Sequence, residues 1–192
     1  MAIDADYQAI PYEPLLYRAM SDCDAAEAIQ FFHSLATEDI AQEEDPVRFE
    51  LSSVARQVVR ERPGILERTF STRAWDAVYW LLAPNRRAGA ERDPHGLAEI
   101  AVFGTEGLAR DATAVQGVPL RFVRPAMART VAAYAEATMG RARDLYDTTA
   151  MEASGVYKWP WDRDYLMDLL AKYARLYRDA ADADECVLVV HD

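Results

Sequence analysis

The apolar positions of the chain fall into short runs with two periods, and the switches between them set out the expected elements. Ala5-Asp6-Tyr7-Gln8-Ala9-Ile10 alternates between small or apolar and polar side chains up to Pro11, the pattern of a strand ended by a turn. Ala25, Ala28, Ile29, Phe32 and Leu35 recur at helical spacing, with Asp24 placed to cap the segment. Val47, Leu51, Val54 and Val58 keep the same period until Pro63-Gly64 stops it, with Arg56 and Arg60 on another side. After Ser71-Thr72, either able to supply a capping hydroxyl, Trp75, Val78, Tyr79 and Leu82 mark a helix whose apolar face must be buried.

Residues 84–96 are polar and rich in chain breakers, so they read as a surface loop. A short strand is expected from Ile100 to Phe103, ended by Gly104. Val118, Leu120 and Phe122 alternate with Pro119 and Arg121, which suits an edge strand because Pro119 lacks a ladder donor. Pro125 opens a helix in which Met127, Val131, Tyr134 and Thr138 trace one face as far as Gly140. Leu145 and Met151 belong to a shorter helical or turn-rich passage. Leu166, Leu169, Leu170, Tyr173, Leu176, Tyr177 and Ala180 then hold one stripe over four turns, with Asp162 as the cap. The Asp182-Ala183-Asp184 turn leads into a buried terminal strand, Cys186 to Val190. Helices and strands mixed without regular alternation predict an α+β fold: a compact single domain over residues 1–192, with a small mixed or antiparallel sheet packed against several helices.

Composition narrows the chemistry. At 192 residues and 51% hydrophobic, the chain can bury roughly 70% of its unfolded surface and needs no cofactor to hold it together. No run approaches the roughly 20 apolar residues that span a bilayer, and the opening residues do not resemble a signal peptide, so a cytoplasmic location is expected. Cys23 and Cys186 read as ordinary buried thiols. His33, His95 and His191 are scattered, which argues against a metal centre, and Asp162, Asp164 and Asp168 suit a helix cap and first turn better than a cation loop. Gly104-Thr105-Glu106-Gly107 has no Walker lysine, and Glu106 would repel a phosphate.

The net charge of −11 is unevenly spread: residues 1–46 hold eleven acids against Arg18 alone, leaving −1 for the rest. Such a segment disfavours nucleic acid, whose phosphates need a basic footprint, and favours encounter with a basic protein. Glu38, Asp39, Glu43, Glu44 and Asp45 are the candidate contacts, with a solvated loop as the plainer explanation of the same residues.

Aromatic residues supply the second candidate. Val156-Tyr157-Lys158-Trp159-Pro160-Trp161 sets three large rings around a proline, and Trp75 and Trp80 share one earlier segment, so the two stretches are expected to meet. Trp75, Asp76, Arg121, Tyr157, Trp159 and Trp161, with Asp6 and Gln8 of the first strand, could instead line a pocket for a flat or cationic ligand. Asp76 would accept a hydrogen bond from an indole or from Arg121. Core packing and a ligand site are both open at this level.

Ala74-Trp75-Asp76-Ala77-Val78-Tyr79-Trp80-Leu81-Leu82 resembles a signature element of the YfbM-like family, a bacterial domain of unknown function (domain of unknown function 1877). The later parts follow in that family's order: Ile100 to Gly107, Arg121-Phe122-Val123-Arg124-Pro125, Tyr146-Asp147 with Met151, Val156-Tyr157 with Trp161, then a long aromatic helix and a hydrophobic strand. The resemblance covers about residues 68–192; Trp159 is an insertion relative to the family pattern, and 11–66 aligns poorly. It implies a compact α+β domain and no agreed activity.

With no catalytic constellation in view, the sequence points to a non-enzymatic binding protein for a basic partner, an immunity factor of a toxin system being the sharpest version. The alternative is a small-molecule binder or enzyme using the aromatic pocket, with Asp6, Asp76 or Asp147 as acid or base.

Overall fold

The structure, a computed structural model, describes residues 4–38, 45–83, 96–109, 112–114, 117–157 and 160–192. Strand β1 (Ala5–Ile10) leads through a kinked turn, Tyr12–Leu16, into a chain of short helices: α1 (Tyr17–Ala19), α2 (Cys23–Ile29) and α3 (Phe32–Thr37). Helix α4 (Pro46–Glu61), strand β2 (Thr69–Thr72), α5 (Trp75–Leu82), α6 (Leu97–Phe103), β3 (Glu106–Gly107) and β4 (Arg121–Val123) follow. The chain ends with α7 (Pro125–Leu145), α8 (Thr148–Ala153), α9 (Arg163–Asp182) and β5 (Cys186–His191). The strands form one antiparallel sheet in the order β2-β1-β5-β4-β3, which places the last strand at its centre.

Helices cover both faces of this sheet, and strand alternation decides which side chain meets which layer. Ala5, Tyr7, Ala9, Val123, Val187 and Val189 pack against α5, α6, α7 and α9. Ile10, Phe122, Cys186, Leu188 and Val190 pack against the Tyr12–Leu16 turn, α2, α3, α4 and the side chains of Leu108, Ala112, Ala114 and Leu120. All six residues of β5 are buried, and Cys186 to Val190 reads as a continuous apolar run without a polar face, closed by His191.

Capping explains several boundaries. Asp45 accepts from the amides of Val47 and Arg48 and Pro46 opens α4; Asp162 accepts from Tyr165 to start α9, as its sequence predicts. The α+β class, β1, α4, α5, α9 and β5 all match expectation.

Elsewhere the structure differs. Asp22 caps α2, through the Ala25 amide, while Asp24 sits in its first turn, and the helix breaks at Gln30 and Phe31 before α3. Ser71 and Thr72 lie in β2, an unforeseen edge strand, although Thr72 Oγ1 does accept from the Ala74 amide. Ile100 to Phe103 is the end of helix α6, not a strand. Gly104 terminates it with φ of 72°, and a Cβ there would stand 2.9 Å from Arg121 Cβ, so both backbone conformation and space require glycine. The strand around Phe122 is β4, which is interior because β3 flanks it; Pro119 stays outside, in an isolated bridge to Thr113. Helix α7 runs past Gly140, which is exposed, to Leu145, and Met127 faces out while Ala128, Val131, Ala132, Ala135 and Thr138 face in. The loop expected at 84–96 lies outside the described residues except for Gly96, which precedes α6.

Candidate functional site

The two aromatic stretches meet, and Tyr157 is the joint. Its ring stacks on Trp75 at 5.7 Å, its backbone amide donates to Asp76 Oδ2 at 2.9 Å, and its carbonyl accepts from Trp161 Nε1 at 3.0 Å. Trp75 also sets its edge against Phe103 at 5.6 Å and His191 at 5.2 Å, and Phe103 stacks on His191 at 5.1 Å. Tyr146 OH donates to the Trp161 carbonyl, which fixes the far end of the connection. Among the described residues no indole stacks directly on another, and Tyr157 links the two stretches through both its ring and its amide. Trp159, with Lys158, lies outside the described residues.

Among the described residues, two carboxylates and one imidazole are buried along this layer: Asp76 at 7% exposure, Glu99 at 8% and His191 at 6%. Sequence reasoning passed over Glu99 and His191 as site residues. Glu99 falls between the expected loop at 84–96 and the expected strand from Ile100 to Phe103 and belongs to neither, whereas the helix Leu97–Phe103 places its carboxylate inside an otherwise apolar buried turn.

The end of α6 shows what this region is built to do. Its last carbonyls have no partner within the helix, and burial would leave them unsatisfied. Tyr177 OH donates to the Ala101 carbonyl at 2.8 Å, and Tyr7 OH and His191 Nε2 both reach the Val102 carbonyl at 2.9 Å, the imidazole donating as its Nε2–H tautomer. Burial pushes the Tyr7 and Tyr177 hydroxyls well above the usual phenol pKa, so both stay protonated donors. Strand β1, strand β5 and helix α9 thereby converge on one buried helix terminus, which makes the cluster a packing centre first.

The other ligand candidates are dispersed. Asp6 and Gln8 alternate with Tyr7 and so face the opposite layer from Trp75 and Tyr157. Gln8 Nε2 donates to the carbonyls of Ala9 and Ile65, a structural role. Asp6 is half-buried opposite Ser71 and Val190; burial raises its pKa, a Ser71 hydrogen bond lowers it, and the net direction is upward. Arg121 is the exception: it pairs with Val189 and shares parity with Val123, both in the aromatic layer, and it backs onto Gly104, the residue after Phe103. Asp147 caps α8 through the Ala150 amide. Burial pushes the Cys186 thiol up to about 12, which quiets it as a nucleophile.

On the other side of the sheet the acidic candidates divide. Glu38 is exposed at the end of α3 and Asp45 caps α4, while Asp39, Glu43 and Glu44 lie outside the described residues. Between α2, the start of α4 and the segment 112–114 opens a groove of about 470 Å³ whose charged walls are Asp24, Glu27, Asp45 and Arg48. Beside it Phe31 is 42% exposed. Tyr17, Met20 and Phe49 are exposed on the same layer, and Arg18 ties α1 to α4 by pairing with Glu50 at 2.8 Å. Neither the groove nor its exposed rings figured among the sequence candidates; exposed aromatics between acids were the available signal.

Among the described residues no group of three or more His, Cys, Asp and Glu is arranged to hold a metal, and no helix is long and apolar enough to cross a membrane. No curated protein and no solved structure matches the chain significantly. A family model does, over residues 17–190, which takes in the α2 to α4 layer as well as the aromatic centre. The chain therefore belongs to the family described as domain of unknown function DUF1877.

Proposed function

We propose that this protein is a non-enzymatic binding protein whose α1 to α4 layer receives a basic protein partner. The observation that carries the reading is the surface itself: among the described residues, Tyr17, Met20, Phe31 and Phe49 stand exposed within one layer that also carries the exposed carboxylates of Asp24, Glu27 and Glu38. Aromatic and Met side chains supply contact area at interfaces, and one-signed charge speeds encounter with an opposite surface. Its sharpest version is an immunity factor that masks a basic toxin.

The test is a pull-down from native lysate over a salt series. A partner captured at low ionic strength, released as salt rises, and lost when Glu38, Glu43 and Glu44 are changed to Gln supports the reading. Capture that ignores both salt and these substitutions contradicts it. Asp45 is kept in the variant because it caps α4.

A second reading rests on Asp76, Glu99 and His191, buried beside stacked rings: a small-molecule binder or enzyme. A saturable rise in melting temperature with a metabolite would favour it, since ligand at 100 times its dissociation constant adds roughly 2.7 kcal/mol.

A further inference from the structure

Strand β2 is one edge of the sheet, and only half of its backbone is spent there. The Ala9 amide donates to the Arg68 carbonyl at 2.9 Å, and the ladder alternates from that point, so Phe70 and Thr72 turn their backbone groups toward β1 while Thr69 and Ser71 turn theirs away. Those outward amides and carbonyls have no backbone partner among the described residues. Edge strands that stay unpaired usually carry a proline, a charge or a bulge, whereas Thr69–Thr72 carries none and its register with β1 is continuous. We propose that β2 is the seam of a symmetric dimer, its outer edge pairing antiparallel with β2 of a second copy of this chain so that one sheet runs through both.

The strand is self-complementary. Thr69 and Ser71 flank Phe70, so a two-fold axis at Phe70 sets Thr69 of each copy against Ser71 of the other, and each such pair exchanges N–H and C=O in both directions. Phe70 meets its own counterpart at the closely spaced position between them. Its ring is half-buried and held in place by Tyr7 at 4.9 Å and Tyr173 at 4.8 Å.

Charge beside the edge selects a second copy over other extended partners. A groove of about 210 Å³ runs between β2 and α9. Glu185 takes up the charge of Arg68, which leaves Lys172 and Arg175 against Glu67 and Asp179, all four exposed and none in an ion pair among the described residues. Such walls favour neither an acidic nor a basic peptide; they suit a partner that carries both signs in reverse order. Glu185, just past α9, holds Arg68 at the start of β2, and Phe70 lies against Tyr173, so the two elements run in opposite directions, with Glu67 and Asp179 toward one end of the groove and Lys172 toward the other. The two-fold axis turns the acidic end of each copy toward the cationic end of the other.

The experiment is sedimentation equilibrium of the full chain at physiological salt, with melting temperature as the folding control. The parent should show a concentration-dependent dimer. Ser71→Pro removes an outward amide without touching the ladder to β1 and should be monomeric, while Ser71→Ala, which loses the same hydroxyl but keeps the amide, should dimerise like the parent. Lys172→Glu and Asp179→Lys alone should each weaken the dimer about tenfold, because symmetry counts every contact twice, and the double exchange should restore it. A monomer at every concentration up to about 1 mM overturns the seam. So does a dimer that Ser71→Pro leaves intact, and, should that variant melt below the parent, a double exchange that fails to restore what the single changes lose. The seam uses no residue of the α1 to α4 layer, so its failure leaves the basic-partner reading standing.

Discussion

Glu185 takes its carboxylate wholly out of water just ahead of β5, and its placement is tolerable only because Arg68 grips both oxygens, at 2.6 and 2.8 Å, with Arg62 at 3.6 Å. Removing one partner leaves a buried charge uncompensated, so Arg68→Ala should cost about 3 kcal/mol of stability in urea unfolding. A loss under about 1 kcal/mol would mean that Arg62 or water takes over. Asp6 works in the opposite sense. Burial favours its neutral form, so the folded chain binds that proton more tightly than the unfolded chain and stability falls as pH rises through the folded pKa. Asp6→Asn should therefore raise the melting temperature at pH 7, with the gain vanishing below the ordinary carboxylate value of 3.8. A variant that melts lower at pH 7, measured by circular dichroism, would show that the charge of Asp6 is used.

Among the elements, α9 carries the largest apolar stripe: Leu166, Leu169, Leu170, Tyr173, Leu176 and Tyr177 are all buried, and the helix packs along α7. Leu170→Asp puts an unpaired charge into that stripe and should cost about 4 kcal/mol or more, enough to unfold a domain of ordinary stability. A soluble, cooperatively melting variant would make α9 peripheral. Elements with a wet face were legible in the sequence, because α4, α9 and β1 show their period against polar residues. Helix α6 was not: Ala98 through Val102 are all buried, so its seven residues show no polar face, and a run of that length fits a strand equally well. Strand β2 is four residues on an edge, too short to display alternation. The α2 cap was misread by two positions because Ser21-Asp22-Cys23-Asp24 offers several capping side chains in a row.

At the scale of the whole molecule, a central five-stranded sheet keeps two chemistries apart. One face holds the aromatic centre, where tyrosines and His191 close off the buried end of α6; the other carries the acidic helical layer. The meeting of Trp75 with Tyr157 was legible because both lie in aromatic runs that must be buried somewhere. The proposed grouping of Asp6 and Gln8 with them fails on strand parity, since Tyr7 points into that layer and its neighbours cannot. The groove at Asp24 and Glu27 arises only when α2, α4 and the 112–114 segment come together, a proximity that no local pattern encodes.

Hydrogen–deuterium exchange of the chain with and without its captured partner tests the central claim most directly. Binding at the acidic layer predicts slowed exchange in α1 to α3 and the first turns of α4, including residues 24–31 and 46–50, with α5 to α9 unchanged. Protection confined to α5, α6 and residues 156–161, with none in the first four helices, would contradict it.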